Sequence, residues 1–363
     1  MGSRVRSLFF ALLVGALVGI SAPAALGAVG IEKFVAVNCQ EGFEECAEES
    51  FGPYSIPKEP TKEEAEEAGY TQAGGHVPYG VTDFKVTTVG ELAKNEQVPT
   101  GVVTHIRTDV APGLATNPFA TEQCTMAHYD GSAKEEEAIP GTGFYAKPTC
   151  GAESIIGENK VTVYAGPAGD VPITGNVYNL VQPEGLASDF GVALKLPIPL
   201  TKGALEKAFA EKGHPLGKPT EEFLEEQQYY AHTLIEGNVE WGQEAKGTNQ
   251  GDYHDYFEID VSPALPLISS RLVFYGRSGE GDFVTNATSC PGHNTTTLHL
   301  TEAGGTQPRP TPARSVSLDA AQCRSHRPSP SPRRRPRSTS PTGSRPKSAY
   351  LIRRAKKKST AHS

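Results

Sequence analysis

Tryptophan occurs once in the 363 residues and methionine twice, and beyond residue 28 no apolar run approaches the ~20 residues that a membrane-crossing helix needs. No GxSxG elbow, HExxH helix or Walker-type phosphate loop is present, so the hydrolases, zinc proteases and NTPases that depend on them have no foothold. Basic charge is scarce through most of the chain. Residues 1–305 carry 19 Lys plus Arg against 41 Asp plus Glu, a balance of −22 that repels phosphate backbones and argues against a nucleic-acid partner.

The missing basic charge is gathered at the other end. Residues 306–363 hold 15 Lys and Arg and a single acid, Asp319, a balance of +14. Pro, Ser and Arg dominate there and apolar side chains nearly vanish. Such a segment buries too little surface to offset its ordering entropy, so residues 306–363 read as a disordered basic tail. At the opposite terminus, Arg4 and Arg6 precede an apolar run from Leu8 to Ile20 and then the small residues Ala22, Ala24, Gly27 and Ala28. That pattern predicts a secretory signal peptide over 1–28, with no membrane span after its cleavage.

Export sets the reading of the cysteines. Six are present and none forms a CxxC pair, so in an oxidising compartment they predict disulfides and not zinc. Proximity in sequence suggests Cys39 with Cys46 and Cys124 with Cys150; Cys290 is left over among the first 305 residues. No cofactor is expected.

Between residues 30 and 300, short β-branched or aromatic runs alternate with Gly, Pro, Asn and Asp clusters, the signature of strands and turns. Strands are predicted at 33–37, 82–88, 98–110, 160–164, 176–181, 189–196, 229–235, 239–242, 252–261, 269–275 and 295–300. This density predicts an all-β body over 29–305, a β-sandwich built as one large or two small units, with one or two short helices. Thr61 with Glu64 opens an acidic, solvated helix as a capping box. A second helix over 201–212, behind a Thr201 cap, places Leu205, Ala208 and Phe209 on one docking face.

Several stretches bear on chemistry. "GDYHDYFEID", residues 251–260, read as a strand, puts Tyr253, Asp255, Phe257 and Ile259 on one face and Asp252, His254, Tyr256, Glu258 and Asp260 on the other. The polar row suits a cation or acid/base work, yet ligands two apart on a straight strand fan out. A solvated acidic face on a half-buried strand is the simpler reading, and a calcium site using Asp252, Asp255 and Glu258 is a third. "YYAHTLIEGNVEWG", residues 229–242, offers Tyr229, Tyr230 and Trp241 as sugar-stacking rings or as core, with Glu236 and Glu240 as carboxylates set too far apart for a glycosidase pair. His293 and His299 flank a Thr-rich strand. Asn286 and Asn294 fit the glycosylation acceptor pattern.

The stretches "GIEKFVAVNC" (30–39), "VAPGLATNPFATEQC" (110–124), "CGAESIIG" (150–157), "VYNLVQPEG" (177–185) and "FVTNATSCPGHNTTTLHL" (283–300) together resemble a set of large, uncharacterised exported β-rich proteins of high-GC Gram-positive bacteria. There the motifs run in the same order, as "PPGL…NP…C", "CP…S.VG", "YNL..P" and "NPTSC…TTTL". The resemblance implies a secreted or surface-attached β-rich protein and supplies no catalytic residue. It stops after Leu300, where the set continues with a cysteine and a "VPFAPSVTV"-like segment. Read from the third base of each codon, "LDAAQCRSHRPSPS" permits that continuation. The tail, from somewhere in 301–316 onward, is therefore expected to be translated out of frame, and the restored cysteine would partner Cys290. A genuine basic tail that adheres to anionic cell-wall polymers is the alternative.

The function expected from the sequence is that of an exported, non-enzymatic structural or interaction module whose partners are cell-envelope components or extracellular polymers. The alternative is a carbohydrate-binding or carbohydrate-active protein using Tyr229, Tyr230 and Trp241.

Overall fold

The computed structural model describes residues 29–40, 69–70, 72–90, 97–132, 134–135, 137–138, 143–212, 218–241, 253–279, 281–288 and 296–303. The predicted signal peptide, Cys46, the helix after Thr61, Asp252, Cys290, His293, Asn294 and the basic tail lie outside the described residues.

The first strands are β1 (Ile31–Cys39), β2 (Tyr79–Val86), β3 (Thr88–Val89), β4 (Val98–Pro99), β5 (Val103–Asp109) and β6 (Ala115–Thr116). Next come β7 (Ile155–Tyr164), β8 (Asp170–Asn179), β9 (Ser188–Lys195), β10 (Tyr230–Trp241) and β11 (Tyr253–Asp260). The last are β12 (Leu267–Tyr275), β13 (Arg277–Ser278), β14 (Gly281–Asp282), β15 (Val284–Thr285) and β16 (Thr297–Glu302). Among the described residues three α-helices interrupt them: α1 (Met126–Tyr129), α2 (Ile198–Lys212) and α3 (Glu221–Glu226).

The expected all-β architecture is present. Ten strands form one sheet in the order β1-β2-β12-β7-β8-β9-β10-β11-β5-β16, antiparallel at every pairing. The sheet bends round on itself. Phe34 of β1 and Leu298 and Leu300 of β16 share one apolar core with Val161, Val163 and Ile173 from the middle strands. At the meeting of the two edges the Val29 N–H donates to the Glu302 carboxylate over 2.9 Å. The facing layers are thus continuous through the bend, and right-handed twist accumulated over ten strands favours such curling.

Alternation along each strand sorts the side chains. Phe190 and Val192 of β9, Ile235 of β10 and Phe257 of β11 point inward to a second part of the core, together with Val177 of β8. Helix α2 adds Ala204, Leu205 and Phe209 to the first part, so the docking face expected for 201–212 is the one used. Its start differs. The helix begins at Ile198, and Thr201 is a buried residue within the first turn whose hydroxyl donates to the Ile198 carbonyl, so it is no cap.

Two glycines make room for aromatic side chains from neighbouring segments. A Cβ on Gly191 would stand 2.5 Å from the Tyr129 ring, and one on Gly237 would meet Ser188 Oγ at 2.0 Å and the Phe257 ring at 2.8 Å. Gly237 therefore makes room for Phe257 inside a strand that runs unbroken through Tyr230–Trp241, where the sequence suggested two separate runs. The expected 98–110 strand divides the other way, into β4 and β5.

Candidate functional site

Strand β5 reads His105, Ile106, Arg107, Thr108, Asp109. Ile106 is buried in the core, so by the two-residue period His105, Arg107 and Asp109 face outward. The register places Tyr256 of β11 opposite Asp109 and Glu258 opposite Arg107, while on the other side of β5 His299 of β16 is opposite Arg107. Beyond β11, Glu240 of β10 lies opposite His254. Four adjacent strands thereby bring their outward polar groups to one place.

Asp109 is its centre. His254 Nε2 lies 3.0 Å from Oδ1 and His299 Nε2 lies 3.0 Å from Oδ2. Arg107 donates to Oδ1 from Nη2 at 2.7 Å and from Nε at 3.1 Å. The same Nη2 donates to Glu240 Oε1, which stands 3.8 Å from His254 Nε2. The guanidinium stacks over the Tyr256 ring, 4.1 Å from its centroid, and its Nη1 is 3.8 Å from Glu258. Asp109 and His254 are buried; His105, toward the rim, meets Glu258 and the exposed Asp260.

Burial pushes the Asp109 carboxyl up, but the hydrogen bonds from His299, Arg107 and His254 outweigh it and hold the group well below the usual carboxylate range. Burial likewise works against the Arg107 charge, and the bond and charge of Asp109, with those of Glu240, raise its pKa above the ordinary value. Charge-assisted bonds of this kind are the strong class, and here they tie β5 to β10, β11 and β16.

A second buried histidine lies elsewhere on the same outer face. His232 of β10 is stacked between Tyr129, at 4.2 Å, and Tyr145, at 4.4 Å, and its Nδ1 is 3.1 Å from Asp130 Oδ1. Helix α1, capped by the Thr125 hydroxyl on the His128 N–H, carries Tyr129 and leads into Asp130. Tyr129 lies over Gly191, and its hydroxyl donates to the Val192 carbonyl at 2.8 Å. Burial lowers the His232 pKa despite the Asp130 bond. Because the folded value is depressed, the neutral ring contributes stability in full above about pH 6.5, and that contribution is lost as pH falls through the folded pKa. The stability advantage of wild type over His232→Gln, followed by urea unfolding at a series of pH values, should therefore shrink below about pH 6.5; an advantage that grows with acidity would refute the assignment.

The disulfide Cys124–Cys150, with Cα atoms 5.5 Å apart, fastens the α1 segment beside this site. Cys39 is also disulfide-bonded.

The residues singled out in the sequence fall as follows. His254, Tyr256, Glu258 and Asp260 do share the outward face of β11, and His254 is the member that is buried. The convergence that a single strand lacks comes from Asp109 and Glu240 on neighbouring strands. Asp255 and Glu258 project from opposite faces of β11, so the calcium set does not assemble around them. Tyr229, Tyr230 and Trp241 do not form one platform either. Tyr229 is buried against Phe144, Tyr230 is half-buried, and 11 residues of strand put Trp241 roughly 37 Å from Tyr230. Trp241 is instead 50% exposed beside Tyr253, which is 66% exposed, with the rings 4.7 Å apart and nearly perpendicular. Asn286 uses its amide as a clamp, donating to the Tyr70 and Gln72 carbonyls and accepting from Asn38. A glycan on that nitrogen would break the clamp.

Arg107, Asp109 and His299 were not recognised as partners in the sequence. The signal that was there is the alternation in "HIRTD", which gives one face of β5 three ionisable groups in a row. Compared with family models, curated proteins and solved structures, the chain matches none.

Proposed function

We propose that this protein is an exported, non-catalytic β-module that acts by binding, with envelope components or extracellular polymers as partners. The observation that carries the reading is the Asp109 cluster. Both oxygens of its central carboxylate are engaged by cationic or imidazole donors drawn from three strands, and a carboxyl held far below its usual range is a poor proton acceptor near neutral pH. Such a group serves to fasten strands. Export is supported by the disulfide chemistry of Cys39, Cys124 and Cys150, by the leader-like residues 1–28 and by the resemblance of the quoted motifs to exported β-rich proteins of high-GC Gram-positive bacteria. Incubating the purified chain with cell-wall and plant polysaccharides tests the non-catalytic part: no new reducing ends are expected, and sustained release of sugars would sink it.

The exposed Trp241–Tyr253 pair favours a second reading, binding of a glycan by ring stacking. The acidic body points to a neutral or amino-sugar polymer over an anionic one. Since Trp241 is the sole tryptophan, its fluorescence is a direct probe. A polymer that binds there should shift or quench the emission in wild type and lose affinity by about tenfold in Tyr253→Ala, on the ~1–1.5 kcal/mol scale of aromatic contacts. Emission unmoved by a broad glycan panel removes this reading.

A further inference from the structure

We propose that Asp109, Glu240 and His254 form a binding site for a transition-metal dication of the zinc type, with Arg107 as a built-in competitor for the same position and His299 as the partner that orients Asp109. One ligand atom from each of the three residues lies within 4.8 Å of the other two. Asp109 Oδ1 is 3.0 Å and Glu240 Oε1 3.8 Å from His254 Nε2. Tetrahedral zinc with nitrogen and oxygen ligands at ~2.0–2.1 Å has neighbouring ligand atoms about 3.3 Å apart, so these two separations straddle the required edge.

The chemistry of the set selects the ion. An imidazole beside two carboxylates suits a borderline cation, whereas calcium and magnesium take oxygen alone. Asp109 and His254 are buried and Glu240 is half-exposed, which leaves an approach from the Glu240 side.

Arg107 marks where the positive charge belongs. Its Nη2 is bonded to Asp109 Oδ1 and Glu240 Oε1, the two oxygens that would face the ion. It also has somewhere to go, because Nη1 is already 3.8 Å from Glu258 and the guanidinium rests on Tyr256. A short swing toward Glu258 vacates the position and keeps the arginine paired.

The surroundings set the order of events. His254 Nε2 donates to Asp109 Oδ1 while its Nδ1 is buried without a hydrogen bond, so a metal taken at Nε2 shifts the ring proton from Nε2 to Nδ1 as it replaces that bond. His299 Nε2 holds Asp109 Oδ2, the oxygen turned away from the proposed ion, as supporting partners of ligating carboxylates do. This site is separate from the Trp241–Tyr253 pair and stands or falls without it.

The test titrates the full secreted chain, stripped with EDTA, with Zn2+ against a chromophoric chelator. Wild type should bind, Glu240→Gln and His254→Gln should each bind at least about tenfold more weakly, and Arg107→Gln should bind about tenfold or more tightly. Glu240 is partly exposed, so that variant is expected to fold. Should Arg107→Gln not fold, Co2+ absorption of the wild type replaces it, with visible bands expected that vanish in Glu240→Gln. Zn2+ affinity equal in wild type and Glu240→Gln would mean adventitious binding by other histidines and overturns the proposal. So does the absence of binding to wild type and Arg107→Gln up to millimolar Zn2+, or displacement of Zn2+ by equimolar Ca2+.

Discussion

Asp109→Asn is expected to destabilise the folded chain by about 3–5 kcal/mol, measured as the loss in urea-unfolding free energy at neutral pH. The substitution keeps the volume and removes the charge. One of the two atoms that now accept bonds becomes an NH2 donor, facing either His299 or the Arg107 and His254 side, where donors already point inward. The Arg107 guanidinium then loses its main counter-charge and the buried His254 its Nε2 partner, and a polar group left unpaired in the interior costs more than a surface pair ever returns. Asp260→Asn is the control. Its partner His105 is near the rim and its own side chain is largely exposed, so the change should be small. A cost for Asp109→Asn no larger than that for Asp260→Asn would mean that the four strands are held by their backbone ladders and apolar face alone.

Tyr129→Ala should be comparably damaging, about 3–5 kcal/mol, on the scale of aromatic-to-alanine changes in cores. The ring is fully buried, lies on Gly191, stacks on His232 and meets Tyr178 edge-on at 6.1 Å. Glycine beneath it cannot fill the vacated space. Tyr129→Phe separates packing from polarity: it keeps the ring and removes only the hydroxyl, which donates to the Val192 carbonyl at 2.8 Å and lies 3.3 Å from that of Thr233, for a loss of about 1 kcal/mol. Near-ultraviolet circular dichroism should change strongly in the alanine variant and little in the phenylalanine one. Equal losses in both would show that the hydrogen bond, and not the stacked ring, secures the α1 segment.

The strands were legible because most of them alternate cleanly and end at turn residues. Ser188–Lys195 and Leu267–Tyr275 fall within two residues of the runs expected at 189–196 and 269–275. Where the reading fell short, a breaker residue sat inside a strand for a local reason. Pro172 in β8 pairs with β7 only, since β9 reaches no farther along β8 than Gly175; the proline therefore stands on a locally unpaired edge, which tolerates it. Gly157 in β7 lies at a register shift beside β8, and a Cβ there would meet the Val273 carbonyl at 2.1 Å. Both residues truncated the expected strands. Helices α1 and α3 are too short to show a 3.6-residue period and went unseen.

The site was hidden for a different reason. Asp109 and His254 are separated by 145 residues, and only the strand order β10-β11-β5-β16 makes them neighbours. Nothing local in "GDYHDYFEID" distinguishes the buried His254 from the exposed Asp260, because the covering groups come from other strands. The aromatic trio failed through the same blindness in reverse: closeness in sequence suggested a platform, and an extended strand spread it out.

The contact between Val29 and Glu302 has a mechanical corollary. With the first and last strands meeting at one pole, a tether attached on either flank would hold the body from that pole and hold Trp241 and Tyr253, at the far tips of β10 and β11, toward whatever lies opposite the anchor. Tension applied across both flanks would load β1 and β16, each hydrogen-bonded within the sheet to a single neighbour, so the fold should yield by peeling from its rims while the middle strands stay zipped.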